Sequence, residues 1–108
     1  MPTISHIRKE YSLKALNEKD VAAHPIDQFS LWWDEAMQSE ILEVNAMTLA
    51  TTDADGMPEA RTVLVKAFDK NGFVFFTNYN SAKSQQLEDN AKCCLLFFWK
   101  ELERQVRI

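Results

Sequence analysis

The sequence predicts a mainly β fold with flanking helices, in which neighbouring strands run antiparallel. Hydrophobic residues follow a helical period over 25–42 and alternate with polar residues after it. Short turn sequences separate the alternating segments, which is typical of strands that are neighbours in one sheet. Many short strands with few long helices favour a small barrel or an α+β domain.

The first part of the chain is predicted to contain an arm and one helix. Residues 1–24 are polar, mixed in charge and without a clear period, and we interpret them as an N-terminal arm, with a short helix as the alternative. Pro25 suits the first turn of a helix, because its missing N–H is not needed there. Apolar residues follow at helical spacing, so we expect an amphipathic helix over 25–42. The remainder, 25–108, is predicted to be one domain.

Five strands and a second helix are predicted after this. The strands are expected over 46–52, 60–67, 73–77, 92–99 and 103–108. Turn residues fill 53–58, and Asn71-Gly72 favours a hairpin between the second and third strands. Ser81 is expected to cap a short helix that ends near Glu88. Short turns between the first three strands predict an antiparallel meander.

The composition is that of a globular domain and excludes some classes of function. Of 108 residues, 46% are hydrophobic and 26% are charged, enough for a core that needs no metal or disulfide. The net charge of −4 argues against a broad nucleic-acid-binding surface. No apolar run approaches the ~18 residues of a membrane span, and the N-terminus lacks the order of a secretory signal. We therefore expect a cytoplasmic protein with neither nucleic-acid nor membrane partners.

Cys93 and Cys94 are adjacent, which strains a disulfide between them. Neither has a Cys-x-x-Cys partner or a nearby histidine, so we expect no metal site. We interpret both as core cysteines of a protein in a reducing compartment.

The segment Arg61-Thr62-Val63-Leu64-Val65-Lys66 is the first candidate site, because two cations bracket a predicted strand. Cations at strand ends can simply reach solvent, and this alternative stays open on pattern alone. Arg61 and Lys66 have opposite parity, so a regular strand directs them to opposite faces, roughly 16 Å apart along its length. One phosphate cannot take both, and they must serve two ends of a long ligand or two ligands.

Three further segments are candidates for binding. Thr77 to Lys83 runs from a strand end into a helix N-terminus, where N–H groups and the lysine could hold a phosphate. Gln105 on a strand could hydrogen-bond a planar heterocycle. The cations of Arg8-Lys9-Glu10-Tyr11 could clamp a phosphorylated substrate. For each, a solvated surface group is the alternative. With two glycines in all, the chain has no Gly-rich phosphate loop.

Other residue types point to structure rather than chemistry. His6 and His24 have no serine, cysteine or aspartate arrangement beside them, so neither is interpreted as a catalytic base. Trp32, Trp33 and Phe97 have spacings that are typical of core residues. No paired carboxylates stand out for acid–base chemistry. Pattern alone therefore ends at a mostly antiparallel domain with a candidate anion site.

The chain resembles the N-terminal half of the pyridoxine/pyridoxamine 5′-phosphate oxidase family. Six short motifs follow one another in the family's order and span nearly the whole chain. They are Arg8-Lys9-Glu10-Tyr11, Ala50-Thr51-Thr52 with Asp55-Gly56-Met57-Pro58, Arg61-Thr62-Val63-Leu64-Val65-Lys66, Phe75-Phe76-Thr77-Asn78 with Ser81 and Lys83, Leu95-Leu96-Phe97-Phe98-Trp99, and Leu102-Glu103-Arg104-Gln105-Val106. Each is weak alone, and the shared order makes the resemblance specific.

The resemblance implies a split β-barrel of the FMN-binding type, of which 25–108 would be only the N-terminal portion. It implies FMN at a homodimer interface and no metal. The implied reaction oxidises pyridoxine or pyridoxamine 5′-phosphate to pyridoxal 5′-phosphate, with oxygen reoxidising the flavin. A related split-barrel protein that binds flavin without catalysis is the alternative.

The resemblance also implies roles for individual residues. The cofactor would contact Arg61, Thr62, Val63, Leu64, Val65, Lys66, Phe76, Thr77, Lys83 and Gln105. The substrate would contact Lys66 and the closing arm, Arg8, Lys9, Glu10 and Tyr11. No catalytic side chain is implied in this half, since the flavin carries out the redox step and the protein supplies positioning.

The sequence departs from the family in two ways. Ala82 stands where the family often has arginine, which removes one charge-assisted phosphate contact worth about 1.5–3 kcal/mol. The chain is also about half as long as the family's members, and its last alternating segment stops at Ile108 without a turn residue. An arginine and a histidine that hold and process substrate are expected in the other half. We therefore expect a chain that is inactive alone.

Overall fold

The computed structural model describes residue 4 and residues 16–76, 82–89 and 91–108. The helices are a short 3-10 helix (Glu18–Asp20), α1 (Pro25–Gln38), α2 (Ala82–Asp89) and a second 3-10 helix (Lys100–Leu102). The strands are β1 (Ala46–Thr52), β2 (Pro58–Asp69), β3 (Gly72–Phe75), β4 (Cys94–Trp99) and β5 (Arg104–Arg107). In the part described, no helix has the length and apolar character to cross a membrane.

The described strands form one five-stranded sheet in the order β3-β2-β1-β4-β5, and every neighbouring pair is antiparallel. The predicted meander of the first three strands is therefore confirmed, with β4 added beside β1. The register between β1 and β2 sets Leu49 opposite Arg61 and Thr51 opposite Glu59. This register decides which polar side chains meet in the candidate site.

Local turn chemistry fixes the two connections of the meander. In the β2–β3 hairpin, the Asp69 carboxylate accepts a hydrogen bond from the Asn71 N–H at 2.8 Å, and Gly72 adopts φ +139°. In the β1–β2 turn, the Asp53 carboxylate accepts from the Met57 N–H at 2.9 Å. Both turns lie where the sequence predicts them.

The core lies between α1 and one face of the sheet. Phe29 of α1 is 3% exposed, and its ring lies 4.8 Å from the ring of Phe68, 5.0 Å from Phe73 and 5.2 Å from Phe97, measured between centroids. Aromatic contacts at these distances stabilise beyond the apolar area they bury. Phe29 thus attaches α1 to three strands.

The aromatic residues interpreted as core residues do pack there. Phe97 is fully buried, and Trp32 and Trp33 are partly buried against the same cluster. Trp99 is also buried, and its indole Nε1 donates to the backbone oxygen of Val44 at 3.0 Å. This hydrogen bond satisfies the polar atom that a buried tryptophan brings into a core.

The first helix is shorter than predicted, ending at Gln38 instead of residue 42. Ser39 adopts extended angles, its N–H donates to Ala36 O at 3.2 Å and its hydroxyl donates to Glu35 O at 2.8 Å. Serine competes with helical hydrogen bonding in this way. Ile41 still packs against the core from the following turn, so the apolar period outlasts the helix.

Several strand boundaries also differ from the prediction. β2 is longer at both ends, and its ladder with β3 continues past a bulge between Val65 and Ala67. β5 begins at Arg104, because Glu103 adopts left-handed angles after the second 3-10 helix. β3 ends at Phe75, and the predicted strand residue Thr77 lies outside the described residues. The predicted second helix is present, although its expected cap, Ser81, also lies outside them.

The interpretation of both cysteines as core residues is wrong. Cys93 is exposed and Cys94 is only partly buried, and both are free thiols. β4 starts at Cys94, so Cys93 precedes the strand. Cys94 alternates with the buried Leu95 and therefore lies on the face away from the core.

Candidate functional site

Arg61 and Lys66, the two cations at the ends of the candidate segment, lie on different faces of β2, as parity predicts. Arg61 shares a face with Val63 and Val65, which are buried beneath α1 and its neighbours. Thr62, Leu64 and Lys66 are exposed on the alternate positions. The two cations therefore lie in separate surroundings.

Arg61 is held inside the protein and is not a solvated strand end. Its Nη1 donates to the Thr51 hydroxyl at 2.6 Å and to the backbone oxygen of Leu49 at 3.2 Å. Its Nη2 donates to Oε1 of Gln86 at 3.1 Å. The side chain is 22% exposed, so it is partly accessible to solvent.

Gln86 of α2 joins the two charged residues of this cluster. It is 6% exposed, and its Oε1 accepts from both Arg61 and the Thr51 hydroxyl. Its Nε2 donates to the carboxylate of Glu59. Within the described ranges, every buried side-chain nitrogen and oxygen has a hydrogen-bond partner. In this cluster the Gln86 amide supplies partners for Thr51, Arg61 and Glu59.

Glu59 balances part of the Arg61 charge. Its Oε2 lies 3.6 Å from Arg61 Nη2, and its side chain is 44% exposed. An ion pair this exposed contributes little to stability because solvent screens it. Another anion could therefore replace Glu59 beside Arg61 at a small cost in stability.

Lys83 brings a second cation to the helix that carries Gln86. It lies in the first turn of α2 and is partly buried. Residues three apart on a helix share a face, so Lys83 and Gln86 are neighbours along α2. Thr77 and Ser81, which the sequence groups with Lys83, lie outside the described residues.

Lys66 lies apart from this cluster, beside Phe76. The Lys66 ammonium lies 6.0 Å from the centroid of the Phe76 ring, and Phe76 is 74% exposed. Lys66 also lines a shallow cavity of about 240 Å³ with Trp33 and Phe68. A cation beside exposed aromatic surface can contact a ligand that is both anionic and planar.

The middle of the candidate strand can reach a ligand in only limited ways. The side chains of Val63 and Val65 are in the core, so only their main chain is available. The Val65 N–H already donates to the Asn45 oxygen at 2.9 Å. Thr62 and Leu64 expose their side chains on the opposite face.

Gln105 lies away from Arg61. It is exposed on β5, opposite Phe98, and lines a cavity of about 550 Å³ between α1 and β5. Since β1 and β4 separate β2 from β5, three strand spacings of ~4.8 Å put the two strands about 14 Å apart. Only a long ligand could contact both. The arm residues Arg8, Lys9, Glu10 and Tyr11 lie outside the described residues.

Sequence reasoning missed Thr51, Glu59 and Gln86. Two signals pointed to them: Glu59 shares the parity of Arg61, and Gln86 lies one helical turn after Lys83. The sequence also left His24 without a role; its Nδ1 accepts from the Ile26 N–H at 3.1 Å and caps α1. Among the residues described, no group of histidine, cysteine, aspartate and glutamate could hold a metal.

Solved structures share this fold. PhzG from Burkholderia lata 383, in complex with tetrahydrophenazine-1-carboxylic acid, matches with a TM-score of 0.81 and 27% identity, over 87% of this chain and 48% of that one. A pyridoxamine 5′-phosphate oxidase-related, FMN binding protein from Nostoc punctiforme PCC 73102 matches with a TM-score of 0.67 and 20% identity, over 82% and 46%. The architecture is thus that of the FMN-binding split-barrel proteins, and the predicted fold class is confirmed.

Sequence comparison then gives the family. The family model described as pyridoxamine 5′-phosphate oxidase matches residues 33–108. Pyridoxine/pyridoxamine 5′-phosphate oxidase from Bordetella avium is 57% identical over 106 residues, and that from Leptospira interrogans serovar copenhageni is 56% identical over 107 residues. These alignments cover 98% and 99% of this chain but 50% of each relative. The chain belongs to the pyridoxamine 5′-phosphate oxidase family, and it spans about half the length of the curated relatives it matches.

Proposed function

We propose that the protein carrying this chain is an FMN-dependent oxidase that converts pyridoxine or pyridoxamine 5′-phosphate to pyridoxal 5′-phosphate, with oxygen as acceptor. We propose further that it acts in the cytoplasm as a homodimer with FMN at the interface. The relatives named pyridoxine/pyridoxamine 5′-phosphate oxidase support the reaction, and the FMN binding neighbour supports the cofactor.

The observation that carries this proposal is the partly buried Arg61. A guanidinium held by Thr51 and Gln86, on a side chain that is still 22% exposed, is preorganised to bind an anion. Lys83 on the same helix as Gln86 supplies a second positive charge. Together they suit a phosphate ester, since phosphate favours planar donors combined with a point charge.

The donor set fits FMN on chemical grounds. Arg61 and Lys83 would hold the phosphate. Its negative charge would replace that of the exposed Glu59 carboxylate beside Arg61. Thr62, Leu64 and main-chain groups of Val63 and Val65 would follow the ligand along β2. Gln105 and the exposed ring of Phe76 offer a hydrogen-bonding group and a flat apolar surface for a planar heterocycle.

The proposed substrate site is built around Lys66. Its exposed ammonium would hold the phosphate of the B6 vitamer, and Arg8, Lys9, Glu10 and Tyr11 would close over the ligand. Bound FMN would supply the redox chemistry, namely hydride acceptance from the substrate with oxygen as the final acceptor. The residues of this chain would bind, orient and neutralise the two phosphates, so this role needs no catalytic acid–base pair among them.

Flavin content and turnover test the proposal together. The protein is expressed at its natural length, purified, and examined for flavin absorbance and for pyridoxal 5′-phosphate formed from each substrate under oxygen. We expect stoichiometric FMN and product formation with both or one of the substrates. Bound FMN without turnover would support a flavin-binding split-barrel protein instead, and protein without flavin affinity would refute both.

A further inference from the structure

We propose that Gln86, acting with Thr51, positions Arg61 for the phosphate of the flavin. This inference rests on the proposed function and adds two residues of β1 and α2 that hold the phosphate-binding cation in place. Neither residue is expected to touch the flavin. Both act through Arg61.

The hydrogen bonds fix the plane of the guanidinium. Thr51 holds Nη1 at 2.6 Å and Gln86 holds Nη2 at 3.1 Å, so two nitrogens are bound from two different elements. A planar guanidinium bound at two points cannot rotate freely about its long side chain. Arg61 is therefore already ordered in the folded protein, and ligand binding does not carry the entropy cost of ordering it.

The direction of each hydrogen bond is also determined. The Thr51 hydroxyl accepts from Arg61, so its proton is free to be donated to Oε1 of Gln86. Oε1 thus receives two donors, while Nε2 of the same amide donates to Glu59. A flipped amide would set its NH₂ group against the guanidinium and its oxygen against the carboxylate. The two charges hence select one orientation of Gln86.

Gln86 also couples Arg61 to Lys83. It is buried at 6% exposure in the middle of α2, and Lys83 lies one turn earlier on the same helix. The contact between Gln86 and Arg61 therefore sets the position of α2 relative to β2. Loss of this contact would let the two proposed phosphate-binding cations move apart.

Selectivity between FMN and riboflavin tests this role, because riboflavin lacks the phosphate. Dissociation constants for both flavins are measured by fluorescence titration of the natural-length protein after flavin removal. We expect Gln86→Leu to reduce the preference for FMN over riboflavin about tenfold, the effect of one lost charge-assisted hydrogen bond. Riboflavin affinity should change less than about twofold. Gln85→Leu, at the exposed neighbouring position of α2, is the matched control and should leave the preference intact.

A second pair of variants keeps the test decisive if Gln86→Leu fails to fold. Thr51→Val removes the hydroxyl at nearly constant volume, whereas Thr51→Ser retains it. We expect Thr51→Val to lower the FMN preference and Thr51→Ser to preserve it, with circular dichroism reporting that both are folded. Unchanged FMN preference in the folded Gln86 and Thr51 variants would overturn the inference while leaving the oxidase proposal standing. An unmodified protein that binds neither flavin would refute the oxidase proposal itself.

Discussion

Arg104 on β5 donates from Nη1 to Oε2 of Glu35 on α1 at 3.1 Å, which ties the edge strand to the helix. The same guanidinium lies 5.0 Å from the centroid of the Trp32 ring. Its side chain is only 14% exposed, so the ion pair and the cation–π contact are partly shielded from solvent.

Substitution of Arg104 should therefore weaken the fold. We expect Arg104→Ala to lower the free energy of unfolding by about 1–2 kcal/mol, from the lost pair, ring contact and side-chain packing. Arg107→Ala, three residues along β5 at an exposed position, should change it by less than about 0.5 kcal/mol. Urea denaturation measures both. Equal effects of the two substitutions would contradict a clamping role for Arg104.

Phe29 should matter more to stability than any exposed residue of α1. It is 3% exposed and contacts rings from β2, β3 and β4, so Phe29→Ala leaves a cavity at the centre of the aromatic cluster. We expect a loss of about 3–5 kcal/mol in unfolding free energy. Leu31→Ala on the same helix, at 54% exposure, should cost less than about 1 kcal/mol. A loss from Phe29→Ala below that of the control would mean that the cluster is not the core.

Local chemistry explains why much of the fold follows from the sequence. β1 spans Ala46–Thr52 as predicted, because alternation begins and ends at turn residues on both sides. Helix α1 ends early because the hydroxyl of Ser39 donates to the backbone oxygen of Glu35. The spacing of apolar residues does not predict this hydrogen bond. The bulge at Val65 and Ala67 is likewise invisible to a count of alternating residues.

The candidate site was harder to predict because its residues meet through long-range pairing. Parity alone separates Arg61 from Lys66, and that prediction is confirmed by the burial of β2. The neighbours of Arg61 depend on the register that sets Thr51 opposite Glu59 and on how α2 packs against β1. Neither is a local property, so the helical spacing of Gln86 from Lys83 indicates a shared face of α2 but does not predict the contact of Gln86 with Arg61.

Removal of the Glu59 charge should strengthen FMN binding. Glu59→Gln keeps an acceptor for the Nε2 of Gln86 but removes the anion that lies 3.6 Å from Arg61 and would compete with the proposed phosphate. We expect the FMN dissociation constant to fall about threefold to tenfold at low salt, and by less in 1 M salt, where charges are screened.

The control for this change is Glu88→Gln, which alters net charge equally at an exposed position of α2. It should leave FMN affinity within about twofold. Flavin fluorescence titration at two salt concentrations measures both variants. Weaker FMN binding by Glu59→Gln would mean that Glu59 supports the phosphate site instead of competing for it.

Substitution of the two cations of β2 should affect two different ligands. Arg61 is partly buried beside α2, whereas Lys66 is exposed beside Phe76 on the other face. We expect Arg61→Ala to raise the FMN dissociation constant at least about tenfold. It should also destabilise the fold, because Thr51 and Gln86 lose a buried partner.

Lys66→Ala is expected to act on the substrate instead. The KM for pyridoxamine 5′-phosphate should rise about tenfold, while the FMN dissociation constant changes less than about threefold, since one exposed charge is lost without disturbing the Arg61 cluster. Lys70→Ala, at the exposed tip of the β2–β3 hairpin, controls for loss of a positive charge and should change neither constant. Steady-state kinetics and flavin titration on the same preparations separate the two effects. If Arg61→Ala and Lys66→Ala alter only the free energy of unfolding, the assignment of two anion sites to this strand is wrong.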